Sequence, residues 1–181
     1  SAINNWEDRS SCILFGDGAG AAVVRAEEGE LHPSVAGSDG TMGHVLACES
    51  RVQNDWQQKE ADRKTYIDMD GTAVFKFAVR KMPEMAKSLM TQMHCTEADI
   101  DWFITHQANE RIIEAIAKRL KSDIAKFPMN IAECGNTSSA SIPILLDEMN
   151  RSGQLKDGQK IIMAGFGAGL SWGAVYMEWH A

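Results

Sequence analysis

Three segments gather polar and small residues at the ends of apolar runs, where layered α/β proteins place their sites. The first is 105–109, Thr-His-Gln-Ala-Asn, directly after the apolar run 102–104. A histidine at such a strand-to-helix junction presents its ring at the mouth of a sheet; read plainly, His106 caps the helix that follows. The second, 134–141, reads Cys-Gly-Asn-Thr-Ser-Ser-Ala-Ser ahead of a helical pattern. It is either a capped turn or a polar lip that aims the Asn136 amide into a cleft. The third, 165–173, holds four glycines in nine residues. Bare backbone there can approach a ligand closely, and its free N–H groups could bind an oxyanion.

Together these segments supply an imidazole, an amide and backbone N–H groups, without an evident nucleophile–base pair. Neutral donors of this kind suit a reaction in which negative charge gathers on a carbonyl oxygen, such as an enolate formed by decarboxylation. Each preorganised donor at that oxygen is worth roughly 3 kcal/mol in the transition state. A nucleotide-binding loop is the obvious rival. Both glycine runs, 16–20 and 165–169, lead toward another strand pattern, whereas a dinucleotide fingerprint opens a helix. A serine hydrolase built on His106 is disfavoured for want of a nucleophile elbow.

The bulk composition fits these expectations. The 181 residues are 44% apolar and 24% charged, enough for one domain, or for one domain plus a fragment of a second. A formal charge of −7 argues against a general nucleic-acid binder. No apolar run reaches the ~18 residues of a membrane span, and no signal-peptide pattern opens the chain. Cys12, Cys48, Cys95 and Cys134 lie far apart and form no CxxC pair. A reducing, cytoplasmic setting with ordinary buried thiols is therefore expected, and no metal site.

Elements that must position the three segments follow from periodicity. Apolar runs 12–15 and 21–24 flank the turn Gly16-Asp17-Gly18-Ala19-Gly20 and read as a hairpin. A strand lies around Val35, and the polar stretch 49–64 is an exposed excursion. Over 72–93, Val74, Ala78, Met82, Met85, Leu89 and Met93 line one helical face. Pro83 should bend or break that helix near Lys81. The five methionines between 82 and 129 are better read as core filling than as a binding surface. Strands at 102–105, 160–164 and 173–179 alternate with helices at 109–121 and 142–150, the second opened by a Ser/Thr segment suited to capping. That alternation predicts α/β layers with partly parallel pairing.

Four motifs in order resemble the β-ketoacyl-acyl-carrier-protein synthase III family: 15–21, His106-Gln107-Ala108-Asn109, Gly135-Asn136-Thr137-Ser138 and 165–173. Met69-Asp70-Gly71 followed by Val74-Phe75-Lys76 fits the same family pattern. The resemblance implies a thiolase-like layered α/β fold of two duplicated halves. Residues 1–29 would be the final β-hairpin of the N-terminal half, and 30–181 the C-terminal half. It further implies that a cysteine of the N-terminal half takes an acyl group from acyl-CoA. Malonyl-acyl-carrier protein then loses carbon dioxide, and its carbanion attacks the acyl-cysteine to initiate a fatty acid.

Carried over by motif, His106 and Asn136 would donate hydrogen bonds to the malonyl thioester oxygen. Phe166 would sit near the nucleophile, Asn109 and Gly71 near the pantetheine arm. The N–H of Ala168, where many relatives have glycine, would serve the acyl-cysteine oxyanion. Arg111 and Lys118, widened by Lys121 and Lys126, would form a landing site for acidic carrier protein. None of the four cysteines stands in the nucleophile's context, which is expected upstream of residue 1. The chain alone is thus expected to form no acyl-enzyme without that missing half. The resemblance also implies a homodimer in the complete enzyme, acyl-CoA and malonyl-acyl-carrier protein as substrates, and no cofactor. Two alternatives stay open: a non-catalytic or split subunit, and a module that binds CoA or carrier thioesters without chemistry.

Overall fold

Phe103 and Ile104 are neighbours in the chain, yet each is buried in a different core on opposite faces of one sheet. The computed structural model describes residues 3–24, 28–48 and 66–180. In chain order the elements are β1 (Ser34–Ser38), β2 (Leu46–Cys48), β3 (Ile67–Met69) and the long helix α1 (Gly71–Gln92). They continue with β4 (Trp102–Thr105), α2 (Glu110–Leu120), α3 (Ile131–Cys134), α4 (Ser141–Arg151), β5 (Lys160–Gly167) and β6 (Ser171–Glu178).

The main sheet has the order β1-β6-β5-β4, with β4 parallel to β5 and the other pairs antiparallel. A separate antiparallel pair joins β2 to β3. Helices α1 and α2 cover one face, where Met82, Leu89, Ile113 and Ile116 pack on Phe103, Ile162 and Ala174. Helix α4 covers the other face, where Leu145 and Met149 meet Ile104 and Ile161. The expected α/β layering with partly parallel pairing is therefore observed. The methionine face is core, with Met82, Met85 and Met90 all buried.

Three sequence expectations need correction. Helix α1 runs unbroken past Pro83. The ring removes one N–H and its bond to the Val79 carbonyl. Val79, Met82, Met85 and Ala86 are all at most 8% exposed around it, and their burial outweighs that loss. The hairpin expected within residues 1–29 is also not formed. Residues 11–14 are turns, Phe15 makes a single parallel bridge to Asn136, and Val23 and Val24 are 100% and 91% exposed. Apolar content nominates a strand, but a ladder needs an edge to pair with, and no described segment supplies one to 21–24. Finally, the N-cap of α4 is Ala140, with no side-chain capping bond, so Ser141 falls inside the first turn. The polar excursion at 49–64 lies outside the described residues.

Phe103 stacks on Phe127 at 4.8 Å between ring centroids and 9° between planes, just before β4 delivers His106. Phe103→Ala should lower unfolding free energy by about 3–5 kcal/mol. Ile124→Ala, at an exposed site, should change it by less than about 0.5 kcal/mol. Urea denaturation of both variants checks the contrast.

Candidate functional site

The parallel ladder extends one bond past β4: the His106 N–H donates to the Ala164 carbonyl at 2.9 Å. His106 therefore stands at the C-terminal mouth of the sheet, as the sequence implied. It does not cap α2. That task falls to Asn109, whose Oδ1 accepts from the Arg111 N–H at 2.9 Å. The His106 ring has its Nδ1 2.7 Å from Ser141 Oγ and meets Phe166 edge-on, 5.5 Å between centroids. Burial pushes its pKa down from 6.5 to about 4, because the charged ring would lose its hydration. At neutral pH the ring is uncharged.

Asn136 arrives from the opposite side, 8% exposed. Its backbone is laced to the segment before it: the Asn136 N–H donates to Leu14 O at 2.8 Å, and Gly16 N–H donates to Asn136 O at 2.9 Å. The approach is so close that a Cβ on Gly16 would lie 2.1 Å from the Cys134 carbonyl oxygen. Gly135 enters the turn at φ 67°, a conformation glycine adopts without strain. Ser138, also left-handed at φ 56°, turns its N–H back onto Asn136 Oδ1 at 2.9 Å. That bond fixes which end of the amide is oxygen and leaves the NH2 end without a protein partner among the described residues.

A cavity of about 470 Å³ collects the expected pocket residues, with His106, Asn136, Phe166, Ala168, Asn109 and Gly71 all on its wall. No Asp, Glu, Lys or Arg contributes to that wall among the described residues. Phe166 is backed by Phe77, 6.4 Å away, which in turn packs on Trp172 at 5.6 Å. Cys48 ends β2 on the same wall. Arg111 and Lys118 lie outside the cavity, exposed and two turns apart on α2. Lys126 does not widen their surface, since its Nζ is 3.1 Å from the Glu97 carboxylate and 2.9 Å from its carbonyl oxygen.

Sequence reasoning missed Ser141 and Gln107. Both are buried, and the Gln107 side chain donates to Thr105 O at 2.8 Å and accepts from the Asn130 N–H at 3.3 Å. Runs of serine before a helix carry a capping signal, which hid the contact to the imidazole. The chain does contain one G-x-S-x-G match, at 169–173, although its setting is not that of an elbow. Ser171 there opens β6 in a strand-to-strand turn and donates to Ala168 O at 2.8 Å, so it is no nucleophile elbow. Among the described residues no cluster of three His, Cys, Asp or Glu could hold a metal ion. Among them, too, no helix is long and apolar enough to cross a membrane.

Known proteins resemble the chain in sequence and in fold. The family model described as 3-Oxoacyl-[acyl-carrier-protein (ACP)] synthase III C terminal matches residues 90–179, and that for 3-Oxoacyl-[acyl-carrier-protein (ACP)] synthase III matches 1–40. The chain belongs to this family of condensing enzymes. Beta-ketoacyl-[acyl-carrier-protein] synthase III of Clostridium novyi (strain NT) is 46% identical over 99% of this chain and 56% of its own length. The protein of that name from Clostridioides difficile (strain 630) is 45% identical over the same shares. The crystal structure of 3-oxoacyl-[acyl-carrier-protein] synthase III from Aquifex aeolicus VF5 superposes with a TM-score of 0.87 at 38% identity, over 98% of this chain and 54% of that one. The fold is thiolase-like. The chain spans about half the length of the curated relatives it matches.

The lowered His106 pKa has a sign that can be checked. The unfolded ring binds a proton more readily than the folded one, so stability is lost as pH falls from about 6.5 to about 4. NMR titration should find the His106 ring still neutral at pH 5.5, with its midpoint near 4. Wild-type protein should lose more stability between pH 7 and pH 4.5 than His106→Gln does, by denaturant titration.

Proposed function

We propose that this chain is the portion of a β-ketoacyl-acyl-carrier-protein synthase III that carries decarboxylation and enolate stabilisation. The observation that supports it most is the convergence of a neutral imidazole and an unpartnered amide NH2 on one apolar cavity. In the proposed reaction the thioester of malonyl-acyl-carrier protein enters past Asn109 and Gly71, its carbonyl oxygen between His106 and Asn136. The bond from the methylene carbon to the carboxylate breaks, carbon dioxide leaves, and the electron pair becomes an enolate whose oxygen accepts both hydrogen bonds. The enolate carbon attacks an acyl-cysteine thioester held by a second portion of the enzyme. The tetrahedral oxyanion takes the Ala168 N–H before the thiolate departs. Phe166, backed by Phe77, excludes water, which would otherwise protonate the carbanion.

Several further parts of this reading go with that reaction. The acyl-cysteine comes from acyl-CoA and sits in the portion of the relatives' length that this chain does not span. The carrier protein docks on Arg111 and Lys118, the complete enzyme is a homodimer, and it works in the cytoplasm. It needs no cofactor beyond its thioester substrates.

The 2.7 Å contact of Ser141 with His106 supports a second reading, a Ser–His hydrolase. It is the weaker one. Among the described residues no carboxylate lines the cavity to orient such a base, and Ser141 is 2% exposed.

A mixing experiment tests the proposal. The 181-residue chain is combined with a polypeptide corresponding to the unspanned portion, and β-ketoacyl product is measured from acyl-CoA and malonyl-acyl-carrier protein. Product should need both polypeptides, and His106→Ala or Asn136→Ala should each reduce it by about 10²-fold or more. Condensation by the 181 residues alone would overturn the requirement for a second portion. Thioester binding with no carbon dioxide release would make the chain a binding module, and fluorophosphonate labelling of Ser141 would make it a hydrolase.

A further inference from the structure

Ser141 is the first residue of α4, 2% exposed, and it touches the catalytic junction at two points. Its Oγ accepts from the Gln107 backbone N–H at 3.3 Å and lies 2.7 Å from His106 Nδ1. We propose that the Ser141 hydroxyl donates to Nδ1 and so fixes His106 as the tautomer with its proton on Nε2. Ser141 is then a positioning residue for the N–H that meets the enolate oxygen. The catalytic consequence rests on the proposed function; the tautomer rests on the geometry alone.

A backbone N–H can only donate, so toward Gln107 the hydroxyl oxygen is an acceptor. The hydroxyl's one hydrogen still needs an acceptor, because an unpaired buried donor is unfavourable. Among the described residues the only other partner of Ser141 Oγ is His106 Nδ1. If Nδ1 carried a proton, both neighbours of the hydroxyl would be donors and its hydrogen would be orphaned. With the lone pair on Nδ1 the hydroxyl, Nδ1 and the Gln107 N–H are all paired, and the ring proton belongs on Nε2, facing the cavity. Nε2 has no hydrogen-bond partner among the described residues, and His106 lines the cavity. The opposite tautomer would offer a lone pair to a substrate oxygen that carries negative charge.

The protein holds Ser141 in place through a closed circuit. Glu148, two turns along α4, accepts from Asn130 Nδ2 at 2.7 Å. The Asn130 N–H donates to Gln107 Oε1 at 3.3 Å, and Gln107 is the residue after His106. Both ends of α4 are therefore referenced to the β4–α2 junction, which keeps the hydroxyl from drifting off Nδ1.

The test is a histidine ¹⁵N spectrum of the 181-residue chain at pH 7, with the His106 ring identified by its loss in His106→Gln. Wild type should show Nε2 as the protonated nitrogen and Nδ1 as the bare one. Ser141→Ala should move both shifts toward averaged values, and Ser141→Thr, which keeps the hydroxyl, should restore them. A wild-type spectrum with the proton on Nδ1 overturns the proposal, and so does a Ser141→Ala spectrum identical to wild type. The wild-type spectrum decides even where Ser141→Ala fails to fold. In the mixing assay Ser141→Ala should lower kcat at least about tenfold with KM little changed, a wrong tautomer in a Ser-His-Asp triad reaching about 10⁴. The spectrum needs no substrate. An Nε2-protonated ring in a chain that supports no decarboxylation would thus sink the proposed function and leave the tautomer standing.

Discussion

Parallel pairing of β4 with β5 brings two C-terminal strand ends side by side, and both ends carry site residues. Thr105 pairs with Ala164, His106 adds one more bond to the Ala164 carbonyl, and β5 continues through Gly165 to Phe166. The imidazole and the phenyl ring are thereby placed edge to face. A slip of one residue would move Phe103 and Ile104 to the wrong faces and turn His106 away from the mouth. The two cores on either face of the sheet thus guard the site's register as well as the fold's stability. The antiparallel return of β6 adds Trp172, so that Phe77 of α1 can brace both aromatic rings from the core side.

Electrostatics at the site works by the absence of formal charge. The cavity wall carries an imidazole that burial keeps neutral, amides and hydroxyls, but no carboxylate or ammonium among its described residues. In such a low-dielectric space a fixed donor acts more strongly on nearby charge than it would in water. Under the proposed function a malonyl carboxylate brought into that wall would meet no counter-ion among its described residues, whereas carbon dioxide is neutral and would lose nothing there. The enolate oxygen of the proposed reaction would meet two donors instead. The same residues that make a poor binding site for a carboxylate therefore make a good one for what decarboxylation leaves behind.

What could be read in the sequence was local. Helix α2 announced itself because its apolar face, Ile112, Ile113, Ile116, Ala117 and Leu120, lies within a dozen residues, whereas its cap falls on Asn109 and not on the expected His106. His106 and Asn136 stood out because each sits in a short polar segment beside an apolar run. The failures were contacts across distance. Pro83 reads as a break until the packing around α1 is known, and 12–24 reads as a hairpin until its partner edge is sought. Ser141 touches His106 from 35 positions away, through a residue type whose usual task before a helix is capping.

Asn136 shows why the site cannot be assigned to one stretch of chain. Its amide is oriented locally, by the Ser138 N–H, but its backbone is held by Leu14 and Gly16, more than a hundred positions earlier. The pairing there is a single bridge, so its strength comes from fit: glycine at 16 lets the two backbones approach, and glycine at 135 supplies the turn. Gly16 therefore has a role as specific as that of any polar residue in the cavity, although it presents no side chain. The glycine-rich run at 16–20 is not a ligand loop; its first glycine is a seat for the strand-like segment that carries the amide. A motif that read as a hairpin turn in the sequence is, in the structure, the support of the segment that carries Asn136.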